Sequence, residues 1–590
     1  MRSRVPRSLA LVLVLASTVN QSACSSRESD DVGNLNAAGS TSVSGSQGDA
    51  GGANTVAGAT SAGEATGGAN GGSAPSGGDA ATSGSGNAGA SGAAAIACAE
   101  LLTKPGAASA WAFFGADGKL AYKPLDANKN RIADYSFAGY RGGGVKLPVL
   151  DVKATLQPSG GDDTALIQKA LDSVSALPLT AGVRGAVLLG AGAYRVDGTL
   201  RIAANGVVLR GSGSGADGTR LTLGGGPHQF LTIAGTGSWK TEGKAQSVTD
   251  PYVPSGTNQL SVADAGAFRP GDTVLVERPV TDAWVHLMGM DTLVRNGAPQ
   301  TWLAVGSTLR VDRQVSAVTG DQLTLDVPLT DAYDAKYLAP PGADVVRYSF
   351  AGRISEVGVE HLRVLAPDTA TAISEAQYTL LSIDAAIDAW VSDVATENTV
   401  NSLKVGATCK RVTVQDFDFS RTSVADGSAG YPLEITLEGT QTLVQRANIV
   451  GANLYTFATG GRVPGPNVFL NCVGSGVHNR AEPHMRWATG LLSDNVSEED
   501  QINYVNRATA GSGHGWAIGW GVIWNSKAGS FKVEQPPGAQ NLCIGCTGKQ
   551  TASDSPGLFE APNTRVAIDS LYLAQLCERM GATALHDIGY

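Results

Sequence analysis

Short apolar runs, each ending at a polar or small residue, recur along the second half of the chain. From Val391 onward such positions return every 20 to 31 residues, at Asp393, Asp416, Arg446, Asn471, Asp494, Asn525 and Gly545. Unequal spacing around a constant strand pattern is typical of stacked coils, because insertions accumulate in loops while each strand must still pair with its neighbour. The pattern therefore predicts strands that stack about 4.8 Å apart in successive coils.

A second repeat has the form aromatic-Ala-x-Gly. It occurs as Phe457-Ala458-Thr459-Gly460, Trp487-Ala488-Thr489-Gly490 and Trp516-Ala517-Ile518-Gly519, at offsets of 30 and 29 residues. The helical or leucine-rich periodicity of other solenoids does not accompany it. The two repeats together predict an all-β fold, a single-stranded parallel β-helix.

Two amphipathic segments predict helices that cover the ends of this stack, where open strand edges would invite aggregation. One follows Asp162-Asp163-Thr164 and would cap the N-terminal end. The other, at 569–580, could serve the other end. Between about 238 and 350 the pattern changes to hairpin-like alternation, which predicts an inserted β subdomain.

The N-terminus has the features of an export signal. Arg2, Arg4 and Arg7 precede an apolar run at 9–16, too short to span a bilayer, so residues 1–24 are predicted to be a signal peptide. The following Gln21-Ser22-Ala23-Cys24-Ser25 resembles a bacterial lipoprotein cleavage site, which implies lipidation of Cys24. Simple cleavage with free secretion is the alternative. Both alternatives place the mature chain outside the cytoplasm, with membrane contact only through an N-terminal lipid anchor.

Composition separates a linker from the folded part. Residues 25–97 are mostly Gly, Ala, Ser and Thr, so they are predicted to form a disordered linker, and the β-helix domain is assigned to 98–590. The formal net charge of −10 argues against a nucleic-acid partner.

Six cysteines follow Cys24, and they can oxidise outside the cytoplasm. A Cys98–Cys577 bond would tie the two ends of the folded part together. Cys543 and Cys546 have metal or redox spacing, but no second close ligand pair lies nearby, so a disulfide or buried thiols are favoured over metal.

The entry segment resembles a known superfamily. The segments 161–168, 186–189, 192–196, 199–202 and 207–211 (GDDTALIQ, AVLL, GAYRV, TLRI and VVLRG) resemble the first coils of the pectate-lyase-like right-handed parallel β-helix superfamily. That superfamily contains polysaccharide lyases, polygalacturonase-type hydrolases, epimerases and phage tailspikes. The resemblance implies the right-handed fold but no particular reaction, because these coils are structural.

Three of the chain's seven histidines and four of its nine tryptophans lie in one stretch, 455–525. Splitting a uronate polymer by β-elimination needs a cation to neutralise the carboxylate and a base to remove the neighbouring proton. His484 and Arg486 would point the same way on a strand, as base and cation. The predicted catalytic residues are His484, Arg486, His514 and Tyr455, and the predicted substrate-binding residues are Arg480, Tyr504, Arg507, Trp520 and Trp524.

The sequence leaves two features of this site undecided. By the aromatic-Ala-x-Gly register, His514 would lie over Met485 and face away from His484, unless a one-residue bulge brings them together. Tyr455 or Tyr504 could protonate the leaving oxygen. Any one of these residues could instead be structural, as a hydrogen-bonded histidine or a core aromatic side chain.

The sequence thus favours an extracytoplasmic carbohydrate-active enzyme, a polysaccharide lyase acting on an anionic polysaccharide. A polygalacturonase-type hydrolase is the first alternative, since 512–519 resembles the Gly-His-Gly segment of those enzymes and Asp494 lies upstream. Asn495 stands where their second aspartate would be, and hydrolysis needs two carboxylates. Asp416 with Asp418, or Glu434 with Glu482, could supply such a pair. A non-catalytic glycan-binding or adhesin β-helix is the second alternative.

No cofactor is expected. A calcium loop could begin at Asp126, but Arg131 and Phe137 occupy the glycine and glutamate positions of an EF-hand, so a turn is favoured there. We therefore predict no metal in the site, with Ca²⁺ possible but not indicated.

Overall fold

The coordinates are a computed structural model that describes residues 97–590 except 301, 370–371, 424–429, 452–454 and 477–479. The predicted signal peptide, the lipidation site Cys24 and the predicted linker up to residue 96 lie outside the described residues. The described chain is all-β, a right-handed parallel β-helix in which 25 strands form one parallel assembly. The fold class predicted from the repeats is confirmed.

Each coil contributes up to three strands, which stack into three sheets. Sheet A contains Val152–Leu156, Gly185–Leu189, Val207–Arg210, Asn467–Leu470, Leu491–Asp494, Val522–Trp524, Leu542–Ile544 and Leu558–Glu560. Sheet B contains Gly192–Val196, Thr219–Leu223, Val473–Ser475, Ser497–Tyr504, Lys527–Val533 and Thr547–Gln550. Four long strands run through both sheets: Ile354–Leu365, Ala386–Glu397, Lys410–Ser420 and Thr440–Val450.

Sheet C forms the third side. It contains Leu200–Ile202, Gln229–Ala234, Thr379–Asp384, Leu403–Val405, Leu433–Leu437, Tyr455–Thr459 and Arg480–Ala481. Arg480–Ala481 then pairs with the end of Ser497–Tyr504. The interior between the sheets is filled by inward-facing aliphatic and aromatic side chains that form one continuous core.

One residue in each later coil turns the chain from sheet A into sheet B. These corner residues have positive φ: His361, Asp393, Asp416, Arg446, Asn471, Asn495 and Asn525 at 48° to 59°, and Gly545 at 70°. Left-handed backbone favours glycine and asparagine, and aspartate tolerates it, because larger side chains clash there. The polar repeat in the sequence is therefore this corner. One position is corrected: the corner is Asn495, whereas Asp494 is the last residue of its strand.

A helix at Thr164–Ser175 covers the first coils. Its buried face, Ile167, Leu171 and Val174, joins the main core. Asp162 rather than Asp163 accepts the hydrogen bond from the Thr164 amide, at 3.0 Å. Asp163 is buried and accepts from the backbone amide of Ser159 at 2.8 Å.

The predicted insert leaves the β-helix after Ala234 and returns at Ile354. Its six-stranded antiparallel sheet contains Lys240–Ser247, Gln259–Ser261, Thr273–Pro279, Thr308–Thr319, Gln322–Leu325 and Asp344–Ser349. The strand pairs Tyr252–Val253 with Tyr333–Asp334 and Val294–Arg295 with Ala298–Pro299, and the helices Asp282–Leu287 and Ala335–Leu338, complete it.

A buried ion cluster fastens the insert to the coils. Asp312 of the insert lies 2.8 Å from Arg353 Nη1 and 3.0 Å from Lys410 Nζ. Burial alone would raise the pKa of Asp312, but the two cations hold it below its usual range. The neighbouring Arg313 donates to the carbonyl of Gly465 at 2.8 Å, so the insert is also fixed to a coil turn further along.

The chain termini run along the outer face of sheet A. The N-terminal segment contains the helix Cys98–Leu102 and the hairpin Ala112–Phe114 with Leu120–Tyr122, and the C-terminal segment contains the helices Leu571–Met580 and Thr583–Asp587. Leu571, Tyr572 and Leu576 pack against sheet A residues such as Leu470 and Val522. The C-terminal helix therefore covers the flank of the stack, and the expectation that it covers the far end is wrong.

Two disulfides form. Cys98 pairs with Cys577, which joins the two terminal segments, and Cys543 pairs with Cys546. Cys409 and Cys472 are buried thiols. In the described part of the chain, no helix is long and apolar enough to cross a membrane.

Asp494 anchors the C-terminal helix from inside. It is fully buried, and its Oδ2 accepts from Ser570 Oγ at 2.7 Å and from the Tyr572 amide at 2.8 Å. Burial raises the pKa of Asp494 to about 7, although these two hydrogen bonds lower it in part.

This carboxyl makes stability depend on pH. The folded state keeps the proton up to about pH 7, whereas the unfolded chain releases it near pH 4, so stability falls as pH rises through that interval and stays low above it. We expect Asp494→Asn to raise the free energy of unfolding at pH 8.5 by at most about 4 kcal/mol and to change it little at pH 4. Thermal unfolding at both pH values measures this. The exposed Asp418→Asn is the matched control, and equal effects of the two substitutions would contradict the prediction.

Candidate functional site

The predicted site residues that converge form one group, here called the histidine cluster. Its members come from three successive coils: Tyr455, then Glu482, His484 and Arg486, then Arg507 and His514. The rings of His484 and His514 have centroids 4.7 Å apart, and those of Tyr455 and His484 5.3 Å apart.

A register shift of one residue brings the two histidines together. The aromatic-Ala-x-Gly motif would align Ala488 with Ala517, but Ala488 pairs with Ile518 and Thr489 with Gly519. The offset at these two residues is thus 30 rather than 29, and His514, which precedes the strand, accepts from the Arg486 amide through its carbonyl at 2.9 Å. Of the two arrangements that the sequence left open, the structure has the one in which the histidines meet.

His484 accepts a hydrogen bond from Arg507 through Nδ1, so this nitrogen is not a free base. Its Nδ1 lies 3.0 Å from Arg507 Nη1, which also donates to the His484 carbonyl at 2.9 Å. A guanidinium can only donate, so Nδ1 is the acceptor, and the proton of the neutral ring is on Nε2. In this geometry His484 is a hydrogen-bond donor through Nε2, which argues against the predicted role as base.

Both histidines stay neutral. Burial, reinforced by Arg507, His514 and Arg486, holds the pKa of His484 well below its usual range. Burial, Arg507, Arg486 and Arg295 lower the pKa of His514 to about 3. A general base is most effective when its pKa is near the working pH, so His514 is a weak base at neutral pH.

Arg486 holds a loop. Its Nη2 donates to Ser512 Oγ at 2.6 Å and to the Ser512 carbonyl at 3.1 Å, and its Nε lies 3.4 Å from the Gly513 carbonyl. These contacts give Arg486 a structural role beside the predicted cationic one. Arg507, predicted only to bind substrate, is the guanidinium that faces His484 and Tyr455.

The cluster is only partly accessible to solvent. Tyr455 and His514 are each 2% exposed, and Arg507 Nε also faces Glu482 Oε1 at 3.3 Å. His484, Arg486 and Arg507 are half-buried, as is Arg480, which lies beside Tyr455 in the neighbouring coil. Tyr455 and His514 therefore do not line an open trough.

Two predicted substrate-binding residues belong to the core instead. Tyr504 is enclosed between the sheets, with its hydroxyl 2.9 Å from Ser493 Oγ. Trp524 is fully buried under the C-terminal segment and donates to the Ile568 carbonyl at 2.9 Å. Neither can contact a polymer, and both predictions are corrected.

The carboxylates considered for hydrolysis are likewise engaged. Asp494 anchors the C-terminal helix, and Asp416 pairs with Arg446 at 2.7 Å. Glu434 is fully buried against Arg421, at 2.8 Å.

Asp126, considered for a calcium loop, closes a turn: Oδ1 accepts from the Asn128 and Asn130 amides, and Oδ2 accepts from Asn130 Nδ2. Among the described residues, no group of three or more His, Cys, Asp or Glu side chains is placed to hold a metal.

A second candidate site lies where the insert meets the coil turns, here called the tryptophan pocket. Its cavity is about 270 Å³. Five aromatic side chains line it: Tyr252, Trp284 and Tyr337 from the insert, and Trp487 and Trp520 from the coils. Trp520 was predicted to bind substrate, and the structure places it here rather than in the histidine cluster. The polar lining comes from Asp126, Asn128, Arg278, Asp331, Asp334, Gln535 and Gln540.

Asp331 organises this pocket. Its Oδ2 accepts from Trp487 Nε1 at 2.9 Å and faces Arg278 Nε at 3.3 Å, while its Oδ1 accepts from Trp520 Nε1 at 3.3 Å. Arg278 in turn lies 4.3 Å above the Trp284 ring. One buried carboxylate of the insert thus orients two indoles of the coils, which the sequence alone did not indicate.

Sequence comparisons identify no relatives: no protein-family model matches the chain, and no curated protein matches it. Solved structures with remote similarity include phage tailspike proteins. The tailspike protein gp49 from Pseudomonas phage LKA1 is 12% identical, over 73% of this chain and 81% of that chain, with a TM-score of 0.36. A tailspike mutant of E. coli bacteriophage HK620, in complex with a pentasaccharide, is 10% identical over 75% and 62%, with a TM-score of 0.36.

The role of Arg486 as a loop anchor is testable. We expect Arg486→Ala to destabilise the protein by about 1–3 kcal/mol, since the bonds to Ser512 and Gly513 are lost, and to speed amide hydrogen exchange in 508–515. Exchange measured by mass spectrometry reports this. Arg462→Ala, at an exposed arginine, is the control. Unchanged exchange in 508–515 would show that the loop does not depend on Arg486.

Proposed function

We propose that this protein binds a polysaccharide in the tryptophan pocket and works outside the cytoplasm. The observation that carries the proposal is the pocket itself, in which five aromatic rings and several carboxylate and amide groups line one cavity of about 270 Å³. Saccharides have apolar C–H faces that stack on aromatic rings and hydroxyls that need directed hydrogen-bond partners. The pocket offers both kinds of contact at one place.

The pocket is also built to keep its shape. The N–H groups of Trp487 and Trp520 are both bonded to Asp331, so these rings are fixed before a ligand arrives. Preorganised rings lose little conformational freedom on binding, which favours affinity. Gln535 is exposed at the pocket and Gln540 half-buried, so these amides are accessible to hydroxyl groups.

The extracytoplasmic location rests on the predicted export signal and is supported by the two disulfides. Disulfides persist in oxidising compartments and are rare in the cytosol. Lipidation of Cys24 would tether the β-helix to the cell envelope, and cleavage without lipid would release it.

Tyr337 is the residue of choice for testing the pocket, because it is half-buried and lines the cavity. We expect Tyr337→Ala to weaken binding of the retained polysaccharide about tenfold, since a stacking surface worth about 1–2 kcal/mol is lost. Affinity electrophoresis through gels containing neutral, amino-sugar and uronate polymers measures the retention. Tyr431→Ala, at a half-buried tyrosine outside the pocket, is the matched control. Equal retention of the two variants would show that the polysaccharide does not bind in the tryptophan pocket.

The second candidate function is β-elimination of a uronate polymer at the histidine cluster. It is favoured by one observation, the meeting of Tyr455, His484 and Arg507 side chains from three coils. Arg507 and the Nε2–H of His484 would hold the uronate carboxylate as donors. The phenol of Tyr455, whose ring lies 5.6 Å from the Arg507 guanidinium carbon, would act on the neighbouring C–H bond.

In the proposed elimination one group, Tyr455, acts as both base and acid, so no other proton donor is needed. Tyr455, as the phenolate, removes the C5 proton, the C4–O bond breaks as the C4–C5 double bond forms, and the phenol returns the proton to the leaving oxygen. The tryptophan pocket has a cavity of about 270 Å³ lined by aromatic and polar groups, so elimination at the cluster is the second candidate rather than the first.

Elimination has a specific signature, the ultraviolet absorbance of the unsaturated uronate product. We expect wild-type protein to generate it from a uronate polymer and Tyr455→Phe to reduce the rate at least about 100-fold, the range of a lost acid–base group. Tyr431→Phe is the control. New reducing ends without this absorbance would indicate hydrolysis, and retention of polymer with neither signal would indicate a binding protein.

A further inference from the structure

The tryptophan pocket carries an excess of negative charge. Its lining includes three aspartates, Asp126, Asp331 and Asp334, but only one cation, Arg278. Arg278 and Asp331 face each other at 3.3 Å and compensate each other, which leaves Asp126 and Asp334. The nearby Lys336 is exposed, and its ammonium lies over the Tyr337 ring at 4.9 Å. A carboxylate ligand would therefore meet like charge, which is unfavourable at short range.

Arg278 nevertheless has buried N–H groups that lack a hydrogen-bond acceptor. The residue is only 4% exposed, lines the pocket, and its Nη1 has no hydrogen-bond partner among the described residues. Its Nε also lacks a bond of good geometry, despite the 3.3 Å approach to Asp331. A buried donor without an acceptor is costly, so a ligand that supplies one gains affinity.

We propose that the pocket selects an N-acylated amino sugar, an uncharged unit of the polysaccharide. This inference rests on the proposed function and names the chemistry of its ligand. The acyl carbonyl accepts from Arg278 Nη1, the amide N–H and the hydroxyls donate to Asp334 and Asp126, and the acyl methyl group packs on the indole rings. Arg278, Asp126 and Asp334 then each have a complementary partner without a new charge.

The two charged classes of sugar each leave one part of the pocket unsatisfied. A uronate would satisfy Arg278 but place its carboxylate beside Asp126 and Asp334. A free amino sugar would pair with the aspartates, but its ammonium offers no acceptor to Arg278 and would be repelled by it. Sites built around buried polar groups discriminate strongly against ligands that leave those groups unpaired.

Titration calorimetry with three oligosaccharides of equal length tests the selection: an N-acetylated hexosamine oligomer, its de-N-acetylated form, and an oligouronate. We expect the N-acetylated oligomer to bind at least about tenfold more tightly than either charged one. Equal binding of all three, or tighter binding of a charged oligomer, would overturn the inference.

Two substitutions connect the selection to its residues. Arg278→Lys keeps a cation opposite Asp331 but removes the forked N–H groups, and it should reduce the preference for the N-acetylated oligomer over its free amine about tenfold. Asp334→Asn keeps the helix-capping acceptor that bonds the Lys336 amide, and it should strengthen oligouronate binding several-fold. Thermal melting confirms that both variants fold. A preference unchanged in both folded variants would contradict the assignment.

The outcome separates this inference from the proposed function. Polysaccharide retention that depends on Tyr337, without preference for the N-acyl group, would overturn the inference and leave the function standing. Failure to retain any polysaccharide would overturn both.

Discussion

The bend between sheets A and B is the constraint on which the later coils depend. One residue per coil adopts left-handed backbone at this bend, and its neighbours on either side pair with the equivalent residues of the next coil. Each long strand also has a second positive-φ residue near its start, at Glu356, Asp388, Arg411 and Gln441. Because pairing continues on both sides of the corner, each long strand serves two sheets without losing register. Successive coils then stack almost identically, and insertions such as 238–350 can be accommodated at the turns, away from this corner.

This constraint explains which features were predictable from the sequence. Most corner residues are Asn, Asp or Gly, so the spacing of the corner is visible as a polar repeat, and the β-helix follows from it. The entry helix is similarly local. Whether a side chain points inward or outward is harder to predict from the sequence. It depends on alternation counted from the corner, and an error of one residue reverses it. That is why Tyr504 and Trp524 were assigned to a surface that they do not reach.

The same sensitivity to one residue governs the histidine cluster. A motif offset of 29 would turn His514 away from His484, whereas the strand pairing at Ala488 and Thr489 has an offset of 30, and the two rings lie 4.7 Å apart with 55° between their planes. The tryptophan pocket was beyond sequence reasoning for another reason. Asp331 bonds Trp487 and Trp520 across 156 and 189 residues, and it lies in an insert that does not share the coil repeat. No periodic signal connects a carboxylate in such an insert with the rings that it orients.

The two candidate sites differ in charge although their residues are adjacent in the chain. Arg486 and Trp487 both have positive φ, at 55° and 64°, so the backbone turns sharply between the cluster and the pocket. Arg486 reaches the loop beside His514, while the Trp487 indole reaches Asp331. Arginines surround the first site, and aspartates outnumber the one arginine of the second. A sugar that suited one site would therefore be poorly suited to the other, so the proposed binding at the pocket and the proposed elimination at the cluster are expected with different polymers.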